Sequence, residues 1–191
     1  MAIILKFFMK QFLQLFKRTF LLVTAVSTIL LIGLSIIFHT PTLSANDSKA
    51  PFSISGNLKI THISDGDSLR SGKLRIRLFG IDAPEKKQKC TNLNGRQWDC
   101  GIAAQKALKQ LVESVPKISC DLMDVDRYSR LVMRCYAGGK DIAAALVREG
   151  LALAYRQYSL LYSEDENAAK ITKAGMWGGS FTKPWTWRRT Q

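Results

Sequence analysis

A run of nineteen residues without a charged side chain, residues 20–38, most limits how this chain can fold. The run is long enough to cross a bilayer as a helix, and four basic residues precede it within residues 1–18. A basic flank on the N-terminal side predicts a cytoplasmic N-terminus, with the following chain on the other side of the membrane. The sequence therefore predicts a signal or membrane-anchor segment at 1–45, a linker at 46–53 and one domain at 54–191.

Cleavage of this N-terminal segment is left open by the sequence. Leu43, Ser44 and Ala45 form a passable signal-peptidase site, but the apolar run exceeds the usual length of a signal peptide and favours a retained anchor. A buried core helix is disfavoured because it would show a polar face. The predicted location is extracytoplasmic in both cases, either anchored in the inner membrane facing the periplasm or outside, or secreted after cleavage.

Four cysteines in such a compartment predict two disulfides, for which three connectivities exist. If a hairpin turns at residues 126–129, Cys120 and Cys135 face each other across it. Cys90 and Cys100 then bracket a polar loop. A zinc site is the weaker alternative because the sequence contains no CxxC spacing.

The charge and the histidine count restrict the chemistry. Residues 46–191 hold 24 basic and 15 acidic residues, a net charge of +9, which favours a polyanionic partner such as nucleic acid or an anionic membrane surface. His62 is the only histidine after His39. This scarcity disfavours serine triads and HExxH zinc sites. Catalysis would have to rely on carboxylates, arginines, lysines or a metal held by oxygen.

Hydrophobic patterns predict a mainly β (α+β) domain: a partly open, five-stranded OB-fold barrel with about three helices packed at one end. The first three strands form a predicted meander, and a hairpin supplies the other two. The predicted strands are residues 54–63, 68–70 and 74–81 with the hairpin 117–136, and the predicted helices are 102–115, 142–149 and about 160–173.

Three short segments concentrate charged residues where strands end or turn. They are SDGDS at 64–68, RLFGIDAPE at 77–85 and DRYSR at 126–130. The first alone is a common hairpin turn, and the third alone is a solvated hairpin tip. The second is harder to explain as a turn, because Arg77, Asp82 and Glu85 crowd a strand end that Pro84 interrupts. Carboxylates from the first two segments could hold Ca²⁺ or Mg²⁺ without histidine.

Together, in this order and spacing, the three segments resemble the thermonuclease family, the staphylococcal nuclease-like domain, over about residues 56–177. ALVREGLALAY at 145–155 matches the helix that follows in that family. CGIAAQKAL at 100–108, the cysteines and the tail FTKPWTWRR at 181–189 resemble its secreted or anchored bacterial branch. Four ordered matches make accidental similarity improbable.

The resemblance implies a Ca²⁺ site. In it the ion is bound by the carboxylates of Asp67 and Asp82 and by the backbone carbonyl of Ala83. The family usually has threonine at the last position, and a carbonyl ligand does not depend on the side chain.

The resemblance also implies the catalytic residues. Glu85 corresponds to the general base that activates the attacking water, and Arg77 and Arg130 correspond to the pair that binds the phosphate. Two roles remain open for Arg127, Tyr128 and Tyr155: contact with a terminal phosphate or sugar, or packing alone.

The implied function is a monomeric, Ca²⁺-dependent nuclease that hydrolyses DNA and RNA with low sequence specificity, leaves 3′-phosphates and needs no obligate protein partner. One alternative is a non-catalytic OB-fold module that binds nucleic acid or another polyanion. Another is an accessory role in envelope or exopolysaccharide assembly. For the Trp-rich tail, residues 181–191, the sequence favours packing on the domain over a nucleic-acid platform.

Overall fold

The computed structural model describes residues 55–191, in which a curled sheet is combined with several helices. None of the helices in this range is long and apolar enough to cross a membrane. The predicted segment at 1–45 and the linker at 46–53 lie outside the described residues.

The elements follow one another along the chain in an order close to the predicted one. The strands are β1 (Ser55–Leu58), β2 (His62–Ile63), β3 (Ser68–Ser71), β4 (Leu74–Leu78), β5 (Ile81–Asp82), β6 (Cys90–Asn92), β7 (Gln97–Trp98), β8 (Ile118–Val125), β9 (Leu131–Ala137), β10 (Lys140–Asp141), β11 (Leu153–Ala154) and β12 (Gly179–Ser180). The helices are α1 (Cys100–Glu113), α2 (Ile142–Arg148), α3 (Ser163–Thr172) and α4 (Pro184–Trp187), with 3-10 turns at Gly175–Gly178 and Arg188–Thr190.

The main sheet has the spatial order β1-β8-β9-β4-β3-β2, with β10 beside β9. All its pairs are antiparallel except β4 with β9. β1 and β2 lie at opposite ends of this order although only residues 59–61 separate them. The sheet therefore curls toward closure, which fits the predicted OB-like architecture.

The prediction of one continuous strand at 54–63 was wrong. The chain pairs first with β8 and then with β3, and the change of partner interrupts the strand at residues 59–61. The predicted strand 74–81 also ends early, at Leu78. Gly80 has a φ of 72°, a left-handed conformation, and separates β4 from β5.

Helices α1 and α2 form where apolar residues recur at intervals of three or four. Ala104, Leu108 and Val112 of α1 are buried against the sheet, as are Ile142 and Leu146 of α2. The third helix begins at Ser163 and not near residue 160, because the preceding residues form a turn. This turn ends at Tyr162, whose side chain is fully buried.

The four cysteines pair within the described domain as the sequence favours. The Sγ atoms are 2.02 Å apart for Cys90 and Cys100, and 2.09 Å apart for Cys120 and Cys135. Cys120 lies directly opposite Cys135 in the β8–β9 pairing. The register of this pairing shifts only farther along, between Leu122 and Asp124.

Replacing both Cys120 and Cys135 by alanine is expected to lower the free energy of unfolding by about 3 kcal/mol. This is the chain-entropy value for closing a loop of about 15 residues. Urea denaturation of the double variant, compared with the wild type under oxidising conditions, measures it. Reduction of the wild type should have a similar or larger effect, and a loss below about 1 kcal/mol would contradict the prediction.

Candidate active site

Two buried carboxylates hold the guanidinium of Arg77 on β4. Its Nη1 donates to Asp67 Oδ1, and its Nη2 donates to Asp82 Oδ1 at 2.6 Å. Asp67 and Asp82 are 2% and 0% exposed. The other oxygen of Asp67, Oδ2, accepts the backbone N–H of Ala83 at 2.8 Å. The structure thus brings together the predicted metal ligands and the first predicted phosphate arginine.

Strand pairing and one close packing contact position these groups. Ser68 lies opposite Arg77 in the β3–β4 pairing, so the preceding Asp67 is at the end of this pair. A Cβ on Gly66 would lie 2.6 Å from the Cβ of Ala104 in α1. Only glycine therefore allows the turn before β3 to rest on this helix.

The carboxylates outnumber the cations that neutralise them. Asp65 accepts the backbone N–H of Asp67, and burial together with the charge of Asp67 raises the pKa of Asp65 to about 7. Burial, together with the Asp67 charge, also raises the pKa of Asp82. Burial acts against the charge of Arg77, but Asp67 and Asp82 raise its pKa, so it remains a cation. A further positive charge would relieve this cluster.

The backbone around Glu85 is held by two residues that the sequence analysis did not single out. A Cβ on Gly101 would lie only 1.8 Å from the Glu85 carbonyl oxygen, so the loop touches the start of α1. The Oε1 of Gln88, which is fully buried, accepts the Glu85 N–H at 3.3 Å. The loop is thereby fixed while the Glu85 side chain remains 30% exposed.

Arg188 from the tail also reaches this cluster. Its Nη2 donates to Asp82 Oδ2 at 2.7 Å, and its Nη1 donates to Glu85 Oε1 at 2.8 Å. Trp185 stacks on Tyr155 with ring centroids 5.3 Å apart. The tail therefore packs on the domain as expected. Sequence reasoning did not assign Arg188 to the site, because 103 residues separate it from Glu85 and no local pattern connects them.

Arg130 lies at the β8–β9 turn and is oriented by Asp126. Its Nε donates to Asp126 Oδ2 at 2.7 Å, while Oδ1 accepts the backbone N–H groups of Tyr128 and Arg130. Burial would raise the pKa of Asp126, but the hydrogen bonds from Arg130 and Tyr128 lower it. Asp126 is therefore ionised and can hold Arg130 in place.

One cavity of about 940 Å³ joins these parts. Its lining includes the predicted residues Arg77, Glu85, Arg127, Tyr128, Arg130 and Tyr155 together with Arg188. Arg127 lies over the Tyr128 ring, 4.9 Å from its centroid, and Tyr128 is 56% exposed. Tyr155 directly follows β11. The pairing of β11 with β5 sets Leu153 opposite Asp82 and so places Tyr155 at the cavity. The cavity combines cations with aromatic faces, as a nucleotide cleft requires.

The predicted Ca²⁺ site is consistent with the donor chemistry. Within residues 55–191, no group of three or more histidine, cysteine, aspartate or glutamate side chains is placed so that it could hold a metal ion. Asp67 and Asp82 nevertheless supply carboxylate oxygens, which suit Ca²⁺. The excess of carboxylates in this cluster also favours a divalent cation, with backbone and water oxygens completing its coordination.

Comparison with known proteins identifies the family. The family model described as staphylococcal nuclease homologue matches residues 75–179, more than half of the chain. The chain belongs to this family. The matched range includes all the predicted catalytic, metal-binding and substrate-binding residues except Asp67, and Arg188 also lies outside it.

Several known proteins are similar to more than half of this chain. The succinoglycan biosynthesis protein ExoI of Rhizobium meliloti (strain 1021) is 31% identical over 137 residues, covering 71% of this chain and 70% of the relative. An uncharacterized endonuclease of Escherichia coli O157:H7 is 33% identical over 138 residues, covering 68% and 83%. The staphylococcal-like nuclease CAN1 of Arabidopsis thaliana is 33% identical over 122 residues, covering 62% and 34%.

Proposed function

We propose that this protein is a Ca²⁺-dependent nuclease that hydrolyses phosphodiester bonds of DNA and RNA with little sequence preference. The observation that carries the proposal is the cavity in which Arg77, Arg130 and Glu85 meet beside the buried carboxylates. Family membership and relatives named as endonucleases or nucleases support phosphodiester hydrolysis.

The arginines in this mechanism bind the negatively charged phosphate. Guanidinium groups remain protonated and present a planar fork of donors that matches phosphate oxygens. As water attacks phosphorus, charge builds on the non-bridging oxygens, and preoriented arginines stabilise it. Arg77 is oriented by Asp67 and Asp82, and Arg130 by Asp126.

The metal would be held by Asp67 and Asp82, with the backbone carbonyl of Ala83 as a further ligand. When bound, Ca²⁺ would supply positive charge that neutralises the phosphate and these carboxylates. The ion would therefore neutralise part of the excess negative charge around Asp65, Asp67 and Asp82.

Glu85 is the proposed general base. Its carboxylate lies in the cavity and is partly exposed, so a water molecule can reach it. The carboxylate takes a proton from this water as the oxygen attacks phosphorus. The bond from phosphorus to the 5′ oxygen then breaks. The 5′ oxygen takes a proton from solvent and leaves as the 5′-hydroxyl of one product, and the phosphate stays on the 3′ oxygen of the other.

A role with acidic polysaccharide is the second candidate. The specific observation that favours it is the relative named as a succinoglycan biosynthesis protein. The net charge of +9 over residues 46–191 suits any polyanion. The two candidates differ in what the cavity binds and whether it cuts.

Removal of Ca²⁺ is expected to lower the rate of single-stranded DNA cleavage by at least about 10²-fold, because the carboxylates would then repel the phosphate. The measurement uses the full chain in detergent, with Ca²⁺ or with EDTA, and follows product size. Addition of Ca²⁺ in excess over EDTA is the control and should restore cleavage. Salt-sensitive DNA binding without cleavage would contradict the nuclease proposal, and preferential binding of an acidic glycan would support the second candidate.

The proposed location is extracytoplasmic, with nucleic acid as the partner and the membrane contacted through the N-terminal segment. The uncharged run at 20–38 and the two cysteine pairs support this location. Protease added to intact spheroplasts should digest the domain. Protection of the domain until the cells are lysed would contradict this location.

A further inference from the structure

Arg188 occupies a position in the cavity that packing of the tail does not require. Trp185 already anchors the tail by stacking on Tyr155, and the adjacent Pro184 is buried. Arg188 begins an exposed 3-10 turn, yet its side chain turns to the carboxylates of Asp82 and Glu85. Its neighbour Arg189 is also exposed, but its side chain does not line the cavity.

The other arginine of this cluster, Arg77, already makes several hydrogen bonds within the protein. Its terminal nitrogens donate to Asp67, to Asp82 and, at 3.3 Å, to the Ile81 carbonyl, and its side chain is only 14% exposed. The Arg188 side chain is 37% exposed. Arg188 is therefore the more accessible cation for an incoming anion.

The present partners of Arg188 are groups that the proposed reaction needs free. Arg188 Nη1 now donates to Glu85 Oε1, so this oxygen must lose that contact before it can bind the attacking water. A divalent cation on Asp82 would repel the guanidinium that now lies 2.7 Å from Oδ2. Once released, Arg188 still lies beside the cavity.

A phosphodiester can take over the contacts that Asp82 and Glu85 now make. The same guanidinium fork that binds Asp82 through two nitrogens matches two oxygens of a phosphate. We infer that Arg188 is a third phosphate-binding arginine of the active site, which Asp82 and Glu85 hold in the cavity when no substrate is bound. The inference rests on the proposed nuclease function, and its residue lies outside the range matched by the family model.

The test compares Arg188→Gln with Arg189→Gln, which removes the same charge from the adjacent exposed residue. Binding of a fluorescein-labelled single-stranded DNA oligonucleotide is measured by anisotropy in Ca²⁺, with Glu85→Gln present in every variant to prevent cleavage. Arg188→Gln is expected to raise the Kd about tenfold or more, the typical value of one hydrogen bond to a charged group. Arg189→Gln should change the Kd less than about twofold.

A second measurement tests whether Arg188 competes with a metal ion for Asp82, which a purely structural role would not involve. Calorimetric titration with Ca²⁺, without DNA, should show tighter binding to Arg188→Gln than to Arg189→Gln, because a competing cation has left Asp82. Loss of a structural contact alone would not tighten metal binding. Arg188→Lys, which keeps the charge but not the fork, should give an intermediate oligonucleotide Kd and serves as the test if Arg188→Gln fails to fold.

Equal oligonucleotide affinities of Arg188→Gln and Arg189→Gln would overturn the inference. Tighter Ca²⁺ binding without loss of DNA affinity would also overturn it, because Arg188 would then only block Asp82. Failure of the nuclease proposal would be detected separately, because the wild type would then not cleave DNA. In that case the oligonucleotide affinities of Arg188→Gln and Arg189→Gln can be compared without the Glu85→Gln substitution.

Discussion

Glu85→Gln is expected to lower kcat on single-stranded DNA by a factor of about 10² to 10⁴, the usual contribution of a general base. Glutamine has nearly the same shape but cannot take a proton from water. The loop around Glu85 is held through its backbone by Gly101 and Gln88, so the substitution should leave the loop in place. KM should change far less than kcat, because the phosphate is bound by the arginines.

The matched control for this experiment is Glu113→Gln. Glu113 ends α1 with a side chain that is 63% exposed, and it undergoes the same chemical change. Thermal unfolding of both variants should resemble that of the wild type. Retention by Glu85→Gln of more than about a tenth of the wild-type kcat would exclude Glu85 as the base.

Arg77→Gln is expected to impair both the fold and the reaction. The substitution leaves Asp67 and Asp82 without the cation between them, and breaking a buried ion pair in this way costs about 3 to 5 kcal/mol. Loss of one transition-state donor should lower kcat by about 10²- to 10³-fold. Denaturant unfolding and steady-state kinetics measure the two effects.

Ca²⁺ provides a further check on Arg77→Gln, because the ion would occupy the same group of carboxylates. Saturating Ca²⁺ should stabilise Arg77→Gln more than the wild type. Arg70→Gln, at an exposed position on β3 next to β4, is the control and should change stability by less than about 0.5 kcal/mol. An Arg77→Gln variant as stable as Arg70→Gln would contradict the role of Arg77 in holding the cluster.

Predictions based on short stretches of sequence agree best with the structure. Asp67 and Arg77 come together because β3 and β4 form a tight antiparallel pair, whose alternation and turn are visible locally. Cys120 and Cys135 likewise follow from the centre of one hairpin. The resemblance to the thermonuclease family, which rests on ordered motifs of this kind, is confirmed by the family match.

Contacts between distant segments were not visible in the sequence. Gly101 lies just before the predicted helix 102–115, and only packing shows that its missing side chain makes room for the Glu85 carbonyl. Tyr155 approaches Asp82 through the short pairing of β11 with β5, which has no pattern of its own. The break between β1 and β2 depends on which partner strand each half meets.

The sequence by itself determined the three longer helices to within a few residues, the β3–β4 and β8–β9 hairpins, the favoured cysteine pairing and the types of residue available for chemistry. These depend on periodicity, turns and composition over a few neighbouring residues. Only the tertiary structure showed that Arg188 joins the charges of the predicted site. Arg188 meets Asp82 and Glu85 across more than a hundred residues, and such a contact arises because the tail packs on a second cluster of buried residues that includes Leu153 and Met176. Electrostatic interactions act through space, so the partners of a charged residue depend on the folded chain.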